Sequence, residues 1–267
     1  MSAAPSGESR PGPLQAALEA RRSSGGKCMV PYLTGGLGDW VATMHAAADA
    51  GADAIELGIP FSDPVMDGPV IQQADVLALE AGATPAGLLD QVARGGLRVP
   101  VAVMTYVNLV YRFGYERFAR TLISSGVTGA ILPDLPLEEV DEWSEAADAA
   151  GVETVLLAAP TGSDERLEQV VARSRGFVYA VGLLGITGER DSLADSAKVI
   201  AARLKAITDL PVLVGVGVST PEQAVQVCEV ADGVVVGSAV VRRALETGSP
   251  EAVGDLVGEF RTALDGG

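Results

Sequence analysis

The stretch ELGIPFSDPVMDGP (56–69) holds three carboxylates, Glu56, Asp63 and Asp67. Glu56 stands between Ile55 and Leu57 in an apolar run, so a fold that buries the run takes an acid out of water. Desolvation disfavours the anion and raises the pKa, which suits such a group to proton transfer near neutrality. The other use of a buried Glu is a structural pair with a base. The chain has only three lysines, and no arginine falls at an adjacent strand end. Asp63, between Ser62 and Pro64, has the setting of a turn residue. Asp67 precedes Gly68-Pro69 and is either a turn or N-cap residue or a second acid–base group.

A second constellation lies near the end of the chain. GVGVSTPEQA carries Gly215 and Gly217 after an apolar run, with Ser219 or Thr220 set to cap a helix that Pro221 opens. VVVGSAVV puts Gly237 and Ser238 at the next such junction. Glycines there let backbone N–H groups approach a phosphate at a helix N-terminus; close packing is their other use. The segment GLLGITGERDSLAD (182–195) is long for a connection. It reads as a lid whose Thr187 and Gly188 reach a substrate, or as a surface loop.

Some chemistries lack their residues. Lys27 opens the first apolar run at the wrong end for catalysis, and Lys198 and Lys205 fall in a helical pattern, so no Schiff-base lysine is expected. His45, the one histidine, lies in a helical pattern as a surface or packing residue. Histidine-bound zinc and Ser–His–Asp or Cys–His catalysis are therefore not expected. Carboxylate acid–base chemistry on a phosphate-anchored substrate remains.

The elements that position these groups alternate. Short apolar, β-branched runs are expected as strands at 28–34, 54–60, 101–107, 129–135, 154–160, 177–183, 212–218 and 233–239. Amphipathic helices are expected at 39–51, 70–81, 116–125, 138–150, 164–174, 195–208, 220–229 and 252–264, with an extra one near 14–22. Eight βα units predict a (β/α)8 TIM barrel with an extra N-terminal helix. An open doubly wound sheet is the alternative, and no GxGxxG follows the first strand to support it. Residues 1–12 are expected as a flexible tail and 13–267 as one barrel domain. In the second strand Ile55, Leu57 and Ile59 should pack outward, and Ala54, Glu56 and Gly58 inward, with Glu56 near the strand's C-terminal end.

A net charge of −16 argues against nucleic acid and anionic membranes as partners. Cys28 and Cys228 lack CxxC spacing, and MSAAPSGESRPGP has no signal-peptide pattern, so a reduced cytoplasmic protein is expected.

ELGIPFSDPVMDGP, ILPDLP, FVYAVGLLGITG and GVGVST…ADGVVVGSAVV, in that order from about Pro31 to Ala239, closely resemble the α subunit of tryptophan synthase. The resemblance implies a barrel lyase that cleaves indole-3-glycerol phosphate to indole and glyceraldehyde 3-phosphate, without a cofactor, in tryptophan biosynthesis. Glu56 and Asp67 match the catalytic acids. Tyr179 matches a tyrosine beside the site, and Thr187 and Gly188 the closing loop. Gly188, Gly217, Gly237 and Ser238 match phosphate-binding positions. Tyr32, Met104, Tyr106, Ile131, Pro133 and Val216 match an indole pocket. Asp134 matches a contact with a pyridoxal-phosphate-dependent β subunit, in an α2β2 complex. The chemistry implied has Glu56 protonate indole C3, Asp67 accept from or stabilise the N1–H, and Glu56 then take the glycerol hydroxyl proton. The chain departs from the family at Gly182-Leu183, where a Ser-Arg pair is common, and at PYLTGGLGDW, where the turn is usually shorter. A stand-alone lyase releasing indole, and a weak barrel kept as an activating partner, are the other readings.

Overall fold

Each of the eight expected strand regions contributes a strand, and all pair in parallel in a closed ring of order β1 to β8, β8 pairing back to β1. The strands are β1 (Cys28–Thr34), β2 (Ile55–Gly58), β3 (Val101–Met104), β4 (Val127–Ile131), β5 (Glu153–Ala158), β6 (Val178–Ala180), β7 (Val212–Val214) and β8 (Gly233–Val236). The computed structural model describes residues 11–182, 190–215 and 217–266, with side chains for all of these except 190–195. The expected tail as far as residue 10, and Thr187, Gly188 and Val216, lie outside the described residues.

The helices are α1 (Pro13–Ser23), α2 (Trp40–Asp49), α3 (Pro69–Glu80), α4 (Pro85–Gly95), α5 (Val107–Phe113), α6 (Tyr115–Ser124), α7 (Asp141–Ala150), α8 (Asp164–Arg173), α9 (Arg190–Lys205), α10 (Pro221–Cys228), α11 (Ser238–Thr247) and α12 (Pro250–Gly266). Two of them, α4 and α5, were not expected, and α11 was expected only as a helix start at Ser238. α4 opens on Thr84, whose hydroxyl accepts from Gly87 N (3.2 Å), with Pro85 in the first turn. α5 takes over Val107, the expected end of a strand, because the Asp134 carboxylate accepts from Val107 N (2.9 Å).

Most strands stop short of their expected C-terminal ends, and β4 starts and ends earlier than 129–135. Pro60 and Pro133 carry no N–H for a ladder, so the chain leaves the sheet there and builds the barrel mouth. Glu56 is the second of the four residues of β2, two residues from its C-terminal end.

Alternation sorts the strand residues. Ile55, Leu57, Val101 and Val103 pack outward on the helices. Ala54, Ala102, Ile131, Val155, Leu213 and Val235 fill the barrel interior. α1 plugs the N-terminal end, where Leu14 and Leu18 are fully buried in that interior cluster. The Glu153 carboxylate at the start of β5 accepts from Leu14 N and Gln15 N (2.8 Å each) and so caps α1 across 138 or more residues of chain.

Candidate active site

Glu56 pairs in register with Tyr32 of β1 and Ala102 of β3. Its neighbour two residues back, Ala54, belongs to the interior cluster, so the side chain of Glu56 faces inward. It is 1% exposed. Its Oε2 has no hydrogen-bond partner among the described residues. No cation is among the groups that act on it: burial first, and then Asp67, push its carboxyl up to about 8. A structural ion pair is thereby excluded among the described residues, and the acid is neutral at pH 7.

Asp67 ends the loop between β2 and α3. The Tyr106 hydroxyl donates to its Oδ2 (2.7 Å) and accepts from Met66 N (3.0 Å). Tyr106 is 5% exposed, and its ring stacks on Phe61 with centroids 5.0 Å apart. The loop is thus closed on itself through a phenol from the next strand's end. Burial raises the pKa of Asp67 while the Tyr106 hydrogen bond opposes it. The phenol rises too, from burial first and then from Asp67, so it stays a proton donor in that bond. Asp67 is not the N-cap of α3; that position is Gly68, which makes no side-chain cap. Asp63 accepts from the adjacent Ser62 hydroxyl (2.6 Å) in an exposed bend, as a turn residue does.

Two tyrosines flank Glu56. Tyr32 covers Gly58 so closely that a Cβ there would overlap the phenol, and Tyr179 occupies the space a side chain at Gly215 would need. Both are buried, and burial is the first cause raising each phenol well above its ordinary range. Glu56 acts on the pKa of each, which places it near both rings. Ile131 lies in the interior cluster, and half-buried Met104 bridges it to the mouth cluster of Tyr32, Ile71, Ala74 and Val241. Pro133 is half-buried beside Asp134.

On the far side Gly237 is the residue before α11, close to the Tyr32 side chain, and exposed Ser238 opens the helix. No side chain caps that helix start, which lies beside Tyr32. Gly217 is exposed and has φ +88°, a conformation that suits glycine. Thr220 caps α10 in a capping box with Gln223, with Pro221 in its first turn, as expected. Asp134 is half-buried, its carboxylate engaged in capping α5.

The residues set aside stay away from the mouth. Lys27 reaches Ala231 O (3.0 Å), Lys205 binds both oxygens of Asp232 (2.8 Å), and Lys198 pairs with Glu229 (2.7 Å). His45 contacts Gly95 O (2.9 Å) and joins α2 to α4.

One buried acid beside the site escaped the sequence reading. Asp75 on α3 is 3% exposed, and its Oδ1 has no hydrogen-bond partner among the described residues. Burial, then Asp67, push it up to about 7, against the Phe61 backbone N–H that faces it. The signal was its spacing: Ile71, Ala74, Asp75 and Ala78 form the buried stripe of α3.

A closed parallel barrel with buried acids around the C-terminal ends of its strands defines the class, a (β/α)8 enzyme. Comparison with known proteins narrows it. Residues 18–256 match the family model described as tryptophan synthase alpha chain. The chain is 43% identical over 263 residues to the tryptophan synthase alpha chain of Streptomyces avermitilis, covering 95% of each chain. It is 45% identical over 251 residues to that of Gloeobacter violaceus, covering 92% of this chain and 90% of that one. Among solved structures, tryptophan synthase subunit alpha from Legionella pneumophila superposes with a TM-score of 0.87 at 34% identity, covering 96% of this chain and all of that one. A chain of the tryptophan synthase complex from Pyrococcus furiosus gives a TM-score of 0.76 at 37% identity, covering 88% of this chain and 98% of that one. The chain belongs to the tryptophan synthase alpha chain family.

Proposed function

We infer that this chain cleaves indole-3-glycerol phosphate to indole and glyceraldehyde 3-phosphate in tryptophan biosynthesis, as the α subunit of a complex with a pyridoxal-phosphate-dependent β subunit. One observation carries the site reading: a fully buried carboxylic acid with no cation among the described residues, flanked by two tyrosines and near a second carboxylate.

Neutral Glu56 gives its proton to indole C3, which breaks the ring's aromaticity and prepares the bond to the side chain for cleavage. Positive charge then develops toward N1, and ionised Asp67, held by Tyr106, stabilises it or takes the N1 proton. Ionised Glu56 removes the proton of the glycerol hydroxyl beside the breaking bond. The electron pair of that O–H becomes the aldehyde C=O, the C–C bond breaks, and its electrons restore the indole ring. If N1 gave its proton to Asp67, the proton returns there. Glu56 ends as it began, protonated. In this reading Tyr32, Met104, Tyr106, Ile131, Tyr179, Thr187 and Val216 bind the indole-bearing substrate, while Gly188, Gly217, Gly237 and Ser238 hold the phosphate. The phosphate end then supplies binding energy that fixes the reacting carbon. Asp134 faces the β subunit in this reading.

Among the described residues no helix is long and apolar enough to cross a membrane. Free, buried Cys28 and Cys228, their thiols pushed up to about 12 chiefly by burial, support a place in the cytoplasm. The test is to incubate purified protein with indole-3-glycerol phosphate, with and without a β subunit, and measure indole. Slow release alone and faster release with the partner is the expected result. Equal, fast release in both assigns a stand-alone lyase, and no indole in either overturns the reading.

A further inference from the structure

The Asp67 carboxylate depends on one phenol for its place. Val65 and Met66 before it are 76% and 56% exposed, so the middle of its loop is not packed. Gln72 Nε2 holds the Asp67 backbone oxygen (2.7 Å), but the carboxylate itself is held by the Tyr106 hydroxyl (2.7 Å), which also accepts from Met66 N. Where that hydroxyl stands follows from the backbone that carries it.

Tyr106 is extended (φ −82°, ψ 143°), and α5 begins at the next residue. As the N-cap residue Tyr106 gives that helix no side-chain cap. The cap comes from another loop: the Asp134 carboxylate accepts from Val107 N at 2.9 Å. That N–H belongs to the planar peptide group joining Tyr106 to Val107, so the bond fixes the plane from which Tyr106 hangs. Asp134 is firmly mounted. Pro133 and Pro136 bracket it, each with φ locked by its ring, and Leu135 N donates to Leu132 O (3.2 Å) across the turn. Leu132 is buried in the core outside the barrel. We propose that Asp134 is a positioning residue for this lyase: its bond to Val107 N fixes the Tyr106–Val107 peptide, and through it the phenol that orients the Asp67 carboxylate. This role rests on the one given above to Asp67. It lies within the chain, so it operates without a β subunit, whereas a contact with that partner would leave the lone chain unchanged.

Substitution separates acceptor, charge and fold. Asp134→Ala removes the acceptor. Asp134→Asn keeps an oxygen for Val107 N and loses the charge. Indole release from indole-3-glycerol phosphate by the full-length chain alone is measured across pH, together with the melting temperature. For Asp134→Ala the expected result is a kcat roughly three- to tenfold lower, with KM within about twofold because the phosphate end is untouched. The acid limb of kcat/KM should move to higher pH, as it should in Tyr106→Phe, because the Tyr106 hydrogen bond lowers the pKa of Asp67. A cap of purely structural use would lower the melting temperature and leave that limb in place. Asp134→Asn should keep the acid limb of the parent, and its kcat within about twofold. Added to Tyr106→Phe, Asp134→Ala should move the limb no further, since both act through one hydroxyl. If Asp134→Ala does not fold, Asp134→Leu, which puts an apolar group in a cavity shared with Leu132, Leu135 and Leu137, decides by the same rule. An acid limb that stays in place without the acceptor, or an Asp134→Asn that behaves as Asp134→Ala does, overturns the proposal. Asp67→Asn, assayed alongside, keeps the two readings apart. Full activity in that variant removes the role of Asp67 and this proposal with it, whereas an inactive Asp67→Asn beside an unmoved limb in Asp134→Ala removes only the proposal.

Discussion

In the proposed reaction Glu56 is the residue on which the chemistry turns, because its surroundings keep it protonated at a pH where a free glutamate is charged. Replacing it by Gln keeps shape and removes the transferable proton. Turnover should fall roughly 10²–10⁴-fold with the circular dichroism spectrum unchanged, in the range general acid–base groups supply. The same shift makes a stability statement. With a folded pKa of about 8 and an ordinary value near 4.5, the native state binds more protons than the unfolded chain between those limits. Stability from this group is then complete below about pH 4.5 and declines as pH rises through about 8. Glu56→Gln should therefore raise the melting temperature at pH 8 and change it little at pH 4.5, a difference read by calorimetry. The proposed reaction needs Glu56 protonated and Asp67 ionised, so kcat/KM should trace a bell whose alkaline limb reports Glu56. Tyr106→Phe removes the hydrogen bond that lowers the pKa of Asp67, and should move the acid limb to higher pH. An acid limb that stays in place would falsify the pairing of Tyr106 with Asp67.

Elements place these residues by devices at both ends of the barrel. At the C-terminal end, Gly58 leaves room for Tyr32 and so holds a phenol beside Glu56. A methyl group at Gly58 must displace that ring, and Gly58→Ala should raise KM for substrate more than it lowers the melting temperature. At the other end Glu153 has a purely architectural use, capping α1 through Leu14 N and Gln15 N. Glu153→Ala orphans one buried and one part-buried donor and should cost about 1–3 kcal/mol in urea unfolding while leaving kcat near the parent value. The strand–helix alternation was legible because its periods, two and 3.6, are local properties. α5 was not: VNLVYRF is rich in β-branched and aromatic residues and reads as strand, and the carboxylate that caps it comes from Asp134, 27 residues away. α4 has local signals in Thr84 and Pro85, but it is a second helix in one connection, where a regular eightfold pattern allots one.

The whole molecule carries a net charge of −16, and its substrate in this reading is an anion. Distant carboxylates repel the phosphate, while backbone amides near Gly217 and Gly237 attract it only at short range. Raising ionic strength from low values to about 0.15 M screens the first and not the second, so KM should fall, modestly, with added inert salt. A KM that rises steadily with salt instead points to an exposed cationic binding group.

The chain's own order of residues determined the count of eight strands, the inward direction of Glu56, the glycines before late helices, and the lack of a lysine or histidine at the mouth. Each follows from alternation, from turn chemistry or from residues that are simply not there. Tertiary structure alone decided that Glu56 meets no cation among the described residues, that Tyr106 rather than a local turn holds Asp67, that Asp134 caps a helix, and that Asp75 is buried beside them. Those facts depend on closing β1 onto β8 and on loops from neighbouring strands meeting at one rim. Burial and like-charge proximity, which set the pKa of Glu56 and Asp75, are properties of that closure and are encoded in no single stretch of chain.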